Sequence, residues 1–164
     1  MRLLYIFWIL LLFFLNGCAP VPKVVKRYFP SPQFPEENFT KRFIWPVKGE
    51  VISFFGEINS DRVNKGIDIK TDVKQKVRAS SDGEVVFCGE IRGFGLTIII
   101  RHSKDIYTLY SNNAESFVKL HDSVKKGEII SLVGIDPWSK KSVLHFEFRK
   151  DKKPVNPLLV LEGG

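Results

Sequence analysis

The sequence is poor in the features that build helical proteins and membrane spans. After its first seventeen residues it contains no convincing amphipathic helix, and it has no internal repeat at the period of a solenoid protein. Its longest uninterrupted apolar run, residues 3–15, has thirteen residues, whereas a membrane-spanning helix needs roughly 20. These absences argue against a helical bundle, a repeat protein and a helix that crosses the bilayer. Placed directly after Met1 and Arg2, the apolar run is typical of a secretory signal.

The residues that follow the apolar run predict how the signal is processed. Leu15-Asn16-Gly17-Cys18 resembles the lipobox of bacterial lipoproteins. The resemblance implies that residues 1–17 are a signal peptide and that Cys18 becomes the lipid-carrying first residue, so that the protein is held at a membrane of the cell envelope. Ala19, in place of an aspartate, resembles lipoproteins that are sent to an outer membrane, where the protein would face the periplasm.

Cysteine is also scarce, since Cys88 is the only cysteine besides Cys18. With Cys18 acylated, Cys88 has no partner, which excludes a disulfide framework despite an oxidising compartment. We expect Cys88 to be a small buried hydrophobic residue rather than a reactive thiol. The formal charge of +7 falls to +6 when residues 1–17 and their one arginine are removed. A moderately basic exported domain suits an anionic surface such as wall polymer, lipid or an acidic protein, and no nucleic-acid partner is expected.

Residues 18–42 read as a flexible proline-rich linker. They hold five of the nine prolines of the chain and show no sustained apolar period. Such a segment favours extended polyproline geometry, which rises about 3.1 Å per residue. The linker could therefore hold the following domain up to about 75 Å from the lipid, far enough to reach a cell wall.

From residue 43 the sequence changes to short apolar runs separated by turn residues. The runs have five or six residues, are rich in β-branched and aromatic side chains, and are punctuated by Asp-Gly or Lys-Gly pairs. We expect strands near residues 51–55, 84–88, 96–100, 105–110, 128–133 and 143–148. The pattern predicts a compact all-β domain over residues 43–164, an antiparallel sandwich or barrel.

Seven short motifs in this region, taken in order, resemble the lysostaphin/LytM-type zinc endopeptidases. The motifs are FIWPVKG, NKGIDI, VRASSDGEV, GLTIIIRH, VKKGEII, LHFE and PVNPL, and they lie between residue 43 and about residue 160. Each motif is weak alone, but their shared order is specific. The resemblance implies a LytM-like fold built on the duplicated hybrid β motif.

The same resemblance assigns the positions of a zinc site. In that family the metal is held by the histidine and aspartate of an H-x-G-x-D motif and by the second histidine of H-x-H, while the first histidine of H-x-H and a Y-x-H histidine assist the attacking water. Asp68 and His145 stand at two ligand positions of this chain. The other three positions carry Asn64, Asn112 and Val143.

These substitutions predict a site without zinc and without catalytic residues. Two protein ligands and a neutral amide suit zinc poorly, and valine has no atom that transfers a proton. Asp68 and His145 would then form a satisfied polar pair in place of a metal site. Neither of the remaining histidines, His102 and His121, is expected to rebuild the site.

A loop with the composition of a contact surface precedes the H-x-H position. It contains an aromatic residue beside two lysines, which favours partner binding, although a solvated loop with a partly buried tryptophan is an equal alternative. We expect a binding groove with these residues at its edge or inside it: Asn64, Asp68, Asn112, Trp138, Lys140, Lys141 and His145.

Three functions are compatible with these features. The favoured one is a catalytically inactive envelope lipoprotein that binds peptidoglycan or activates a peptidoglycan amidase, because degenerate LytM-type proteins are known to do so. The second is an active zinc endopeptidase with unusual ligands, which would need zinc as a cofactor. The third is a biotinyl or lipoyl carrier domain, which the segments KVRASSDGEVV and VKKGEII resemble. Those domains present a lysine flanked by methionine, and the sole methionine here is Met1.

Overall fold

The computed structural model describes residues 43–59, 62–136 and 139–162. The predictions for the signal segment, for Cys18, for the linker and for Trp138 lie outside this range. The described residues form these strands: β1 (Glu50–Ser53), β2 (Ile58–Asn59), β3 (Arg62–Val63), β4 (Ile67–Lys70), β5 (Lys76–Arg78), β6 (Gly83–Ile91), β7 (Gly95–Arg101), β8 (Ile106–Ser116), β9 (Ser123–Val124), β10 (Ile129–Val133), β11 (Val143–Lys150) and β12 (Lys153–Val155). A 3-10 helix at Pro157–Leu159 follows, and no α-helix occurs in these ranges.

The strands build one antiparallel sheet of ten strands and a separate hairpin. The main path through the sheet is β1-β4-β11-β8-β7-β6-β9, with β10 joining β8 to β5 and β12 extending β11. The hairpin is formed by β2 and β3. This architecture confirms the predicted all-β class. In the part of the chain that the structure describes, no helix is long and apolar enough to cross a membrane.

The hydrophobic core follows from alternation along the two strands that carry the site. In β4, Ile67 and Ile69 are fully buried, and in β11 Leu144, Phe146 and Phe148 belong to the same core. Successive side chains of a strand point to opposite faces. Asp68 and His145 therefore project from the other face of the sheet, where they are half-buried.

The register of the central strands brings these two residues together. His145 pairs with Asp68 across β11 and β4, and with Ser111 across β11 and β8. Asn112, next to Ser111, has a φ of 63°, a left-handed conformation that asparagine tolerates better than most residues. The backbone register of the strands therefore sets the relative positions of Asp68, Asn112 and His145, independently of their side-chain contacts.

Candidate functional site

The centre of the site is a close contact between an imidazole and a carboxylate. His145 Nδ1 lies 2.6 Å from Asp68 Oδ1, and its Nε2 lies 3.2 Å from Glu147 Oε1. Because both partners are carboxylates, both ring nitrogens donate and the imidazole is held in its protonated form. Burial alone would lower the pKa of His145, but the hydrogen bonds to Asp68 and Glu147 outweigh it and raise the pKa to about 9.

Glu147 is a site residue that the sequence reasoning missed. It is fully buried, and its second oxygen accepts a hydrogen bond from Arg149 Nε at 2.6 Å. Burial would raise the pKa of Glu147, but the hydrogen bonds from His145 and Arg149 hold that pKa below its usual value. The sequence does carry a signal for this contact in β11. His145, Glu147 and Arg149 alternate with core residues, so their side chains share one face of the strand.

Asn64 lies beside Asp68 and turns its amide hydrogens toward it. Its Oδ1 accepts a hydrogen bond from the Gly66 backbone N–H at 2.9 Å, which fixes the orientation of the amide. Its Nδ2 then donates to Ser53 Oγ at 3.0 Å and lies 3.4 Å from Asp68 Oδ2. Position 64 therefore presents N–H groups, not a lone pair, to the neighbouring carboxylate.

Gly66 fits closely beneath this arrangement. A Cβ at this position would lie 2.1 Å from the Phe146 carbonyl oxygen and 2.9 Å from Cγ of Glu147. Such contacts leave no room for a side chain. The absence of a side chain at Gly66 lets the Asn64 turn approach β11 and lets the Gly66 N–H reach the Asn64 amide.

The side chain of Asn112 is hydrogen-bonded to the backbone of Val143. Asn112 Nδ2 donates to the Val143 carbonyl at 2.6 Å. The Val143 side chain is buried, with 9% of its surface exposed. Neither residue offers a group that could accept or deliver a proton, so the two positions tie β8 to β11 at the edge of the site.

Phe94, in the turn between β6 and β7, covers the imidazole and was not predicted. Its ring lies against that of His145 with 5.5 Å between centroids, and its carbonyl accepts a hydrogen bond from Asn112 N. The Phe94 side chain is 39% exposed. It therefore forms an accessible apolar surface directly over the site.

The predicted edge residues Lys140 and Lys141 lie in an exposed turn just before β11. The turn is held by hydrogen bonds from Lys140 N to the Asp136 carbonyl and from Asp136 N to the Lys141 carbonyl. A bridge between Ile135 and Ser142 closes its base. The two lysines thus lie just before Val143, and Trp138 is outside the described residues.

The remaining histidines and the second cysteine lie away from the site. His102 is hydrogen-bonded to Asp82 O and Thr108 Oγ1, and burial lowers its pKa. His121 contacts Glu84 on the surface. Cys88 is a half-buried free thiol that contacts Ser116 and Val118. Neither histidine supplies an imidazole near Asp68.

The donor set does not fit a catalytic zinc ion. Zinc prefers imidazole and thiolate, and its catalytic sites use three protein ligands. Here Asp68 and His145 are joined to each other, and Asn64 directs N–H groups toward them. Among the described residues, no group of three or more histidine, cysteine, aspartate or glutamate side chains is arranged to hold a metal.

An antiparallel sheet that sets Asp68 opposite His145 is the arrangement that the lysostaphin/LytM resemblance implies. The chain belongs to peptidase family M23, whose model matches residues 62–157. Both results confirm the resemblance found in the motifs.

Comparisons with individual proteins agree with this assignment. The chain is 41% identical over 118 residues to the murein hydrolase activator NlpD of Escherichia coli. The aligned segment covers 71% of this chain and 30% of NlpD. It is 35% identical over 127 residues to the cell division protein DipM of Caulobacter vibrioides, covering 73% of this chain and 21% of DipM. The lysostaphin catalytic domain of Staphylococcus simulans superposes with a TM-score of 0.58 at 23% identity, over 68% of this chain and 90% of that domain.

The two kinds of comparison carry different weight. At 23% identity the likeness to lysostaphin shows the shared fold alone. The chain spans about a third or less of the length of the two curated relatives. What those proteins do as a whole is therefore a source of hypotheses for this chain.

Proposed function

We propose that this chain is a non-hydrolytic member of family M23 that acts by binding, as an activator of a peptidoglycan amidase. The observation that carries the proposal is the orientation of the Asn64 amide, which donates toward Asp68 at the position where the family has a zinc-ligating histidine. A hydrolytic centre needs lone pairs directed at the metal and a group that transfers protons. Asn64, Asn112 and Val143 supply neither.

The site is instead built as a rigid polar platform. The chain of contacts from Asp68 through His145 and Glu147 to Arg149 is satisfied at every step and mostly buried. Fully satisfied buried networks hold a surface in one conformation. Phe94 provides an exposed aromatic ring over this platform, and Lys140 and Lys141 provide positive charge in the exposed turn just before β11. An aromatic residue with a polar rim is typical of a binding surface.

The choice of an amidase as partner rests on the relatives. Two of the proteins named above are a murein hydrolase activator and a cell division protein. The family match at residues 62–157 includes the site strands, and a Pseudomonas aeruginosa protein named as an NlpD/LppB lipoprotein homologue is 38% identical over 118 residues, which cover 71% of this chain and 39% of that protein. These names support a lipoprotein of the bacterial envelope that activates a murein hydrolase. That the hydrolase is an amidase, that Cys18 is the anchor and that the protein lies at the outer membrane facing the periplasm are further parts of the proposal.

The second candidate is a zinc endopeptidase with unusual ligands. It is favoured by one observation, because Asp68 and His145 still face each other as two ligands would. The two candidates differ in what the purified chain does alone. An endopeptidase releases fragments from peptidoglycan without a partner and loses that activity to a chelator.

The deciding assay measures dye release from labelled peptidoglycan in three arms: the full chain alone, a purified amidase from the same cell alone, and both together. We expect no release by the chain alone and a clear stimulation of the amidase. Release by the chain alone that a chelator abolishes would establish the endopeptidase instead. Stimulation that persists in chelator-treated chain, with the amidase re-supplied with its own metal, supports the binding role.

A further inference from the structure

Two turns that carry lysines lie side by side at the end of the sheet farthest from the site. The backbone N–H of Asp151, in the β11–β12 turn, donates to the carbonyl of Asp105, in the β7–β8 turn, at 2.9 Å. The two turns line one shallow cleft together with Tyr107. They carry four lysines against two aspartates, and we call these four lysines the basic end: Lys104, Lys150, Lys152 and Lys153.

Most of the basic end is open to solvent. Lys104, Lys152 and Lys153 are exposed. Asp151 and Lys152 have φ values of 50° and 63°, the pair of left-handed residues that makes a two-residue hairpin. Lys152 therefore lies at the tip of the hairpin, next to the Lys150–Lys153 pair.

The described part of the chain begins at this same end. The ring of Phe43 lies 5.1 Å from that of His102, the residue that precedes the β7–β8 turn, and 5.0 Å from that of Phe148 in β11. The preceding residues 18–42 carry five lysines and arginines against two glutamates. If Cys18 carries lipid, the tether joins the domain at its basic end.

The site lies at the opposite end of the same strands. β8 and β11 run from the Ile106–Lys150 pair at the basic end to the Ser111–His145 pair at the site. Five residues of strand at about 3.3 Å each separate them by roughly 17 Å. A flat surface that contacts the basic end therefore leaves Asp68, Phe94 and His145 uncovered.

We propose that the basic end is a docking surface for anionic lipid headgroups of the leaflet that holds the Cys18 lipid. Lysines close to an anionic leaflet each favour contact by about fivefold at moderate salt. The tether keeps the domain within about 75 Å of the leaflet, which raises the effective concentration of headgroups around it. Docked in this way, the domain presents its site away from the membrane and toward the wall. The inference rests on the proposed lipid anchor for this geometry, but not on the identity of the amidase.

The test uses the full chain reconstituted into vesicles of phosphatidylcholine, with or without about a third phosphatidylglycerol, and measures the rate at which an amine reagent modifies each lysine. We expect Lys104, Lys152 and Lys153 to react about fivefold more slowly on the anionic vesicles. Lys74 and Lys76, exposed at the start of β5 on the site side, serve as internal controls and should react equally on both. High salt should remove the protection, because it screens exposed charges. Equal rates on both vesicles would overturn the proposal.

Two matched double variants distinguish a specific role of the basic end from a general effect of the protein's net charge. Lys152→Glu with Lys153→Glu should abolish the protection of Lys104, and Lys74→Glu with Lys76→Glu should leave it intact. Lys74 and Lys152 are both exposed and both left-handed, with φ values of 57° and 63°, so the backbone cost of the change is the same. Protection that survives the first pair, or is lost with the second, would contradict the assignment.

Flotation distinguishes failure of the anchor from failure of the docking surface. If the chain floats with anionic vesicles but not with neutral ones, it lacks the lipid anchor, and the docking surface is supported. A chain that floats with both but shows no protected lysines keeps the anchor and overturns the docking. Protection by purified peptidoglycan rather than by anionic vesicles would overturn the lipid assignment in favour of wall polymer. None of these readouts depends on amidase stimulation.

Discussion

The side-chain amide of Asn64 donates toward the carboxylate of Asp68: Nδ2 lies 3.4 Å from Oδ2, while Oδ1 is held by the N–H of Gly66. A zinc ligand at this position would have to direct a lone pair where Asn64 directs hydrogens. The orientation is set by a backbone donor, which cannot be turned without moving the loop. Under the proposed binding role, this relationship accounts for an M23 chain that keeps Asp68 and His145 without a third metal ligand at position 64.

The first prediction concerns restoration of a metal site. The purified chain should contain no stoichiometric zinc, and a chelator should barely change its melting temperature, because a structural zinc would contribute several kcal/mol or more. The triple change Asn64→His, Asn112→His and Val143→His should gain about one zinc per chain by metal analysis. Adding His145→Ala to the triple variant should remove that zinc. Stoichiometric zinc in the unaltered chain, or none in the triple variant, contradicts the account of the site.

The second prediction concerns Glu147, which bridges His145 and Arg149 while fully buried. Glu147→Gln keeps the volume but removes the charge between two cations. We expect a loss of about 3 kcal/mol in the free energy of unfolding, measured by urea denaturation. Glu84→Gln is the control, since its partners Arg101 and His121 are exposed and such pairs contribute little. Equal effects of the two changes would show that the buried chain of contacts does not stabilise the site.

The third prediction is a loss of stability at alkaline pH. The pKa of His145 is raised to about 9, above the value of about 6.5 in an unfolded chain. Its contribution is therefore fully present below about pH 6.5 and is lost as pH rises through about 9, by up to about 3 kcal/mol. Unfolding free energies measured across this range should fall in the unaltered chain and change much less in His145→Gln. The exposed His121→Gln should behave like the unaltered chain, and a parallel fall in His145→Gln would assign the effect to other groups.

The fourth prediction concerns the anchor. Cys18→Ser removes the only thiol at the lipobox-like sequence, so acylation should be lost and residues 1–17 should remain attached. Metabolic labelling with a fatty acid and the intact mass of the product measure both. A serine variant that is processed and partitions as the unaltered chain does would rule out the lipoprotein interpretation.

Much of the fold was predictable because its long strands have clear apolar periods. The expected strand at residues 143–148 corresponds to β11 at Val143–Lys150, and the one at 96–100 to β7 at Gly95–Arg101. Strands of two or three residues, such as β2, β3 and β9, carry no period and were not predicted. Their formation depends on pairing with neighbours that are distant in sequence.

The site was predictable in its positions but not in its contacts. The motif order located Asn64, Asp68, Asn112, Val143 and His145, since each follows from one aligned pattern. The role of Glu147 depends on the burial of its side chain, and a glutamate in a sequence is normally expected to be exposed. The covering position of Phe94 depends on a turn between β6 and β7 that approaches β11 only in three dimensions. For Glu147 the only sequence signal is its spacing from His145 and Arg149 in β11, and for Phe94 local sequence gives none.

The central claim is that the surface above the site activates an amidase by binding it. Phe94→Ala and Trp138→Ala should each weaken activation by about 2 kcal/mol, a shift of roughly thirtyfold in the half-maximal concentration, if they are buried aromatic anchors. Lys140→Glu with Lys141→Glu should mainly slow association, and more so at low salt. Phe117→Ala is the matched control, because Phe117 is also an exposed phenylalanine, 51% against 39% for Phe94, and its backbone pairs with Ile130, on another part of the sheet.

The most direct measurement is therefore the concentration dependence of dye release from labelled peptidoglycan by a purified amidase, titrated with the full chain and with these variants. The account predicts stimulation by the unaltered chain and by Phe117→Ala, with the curve for Phe94→Ala displaced to higher concentration. An absence of stimulation of every amidase from the same cell, or identical curves for Phe94→Ala and Phe117→Ala, would contradict it.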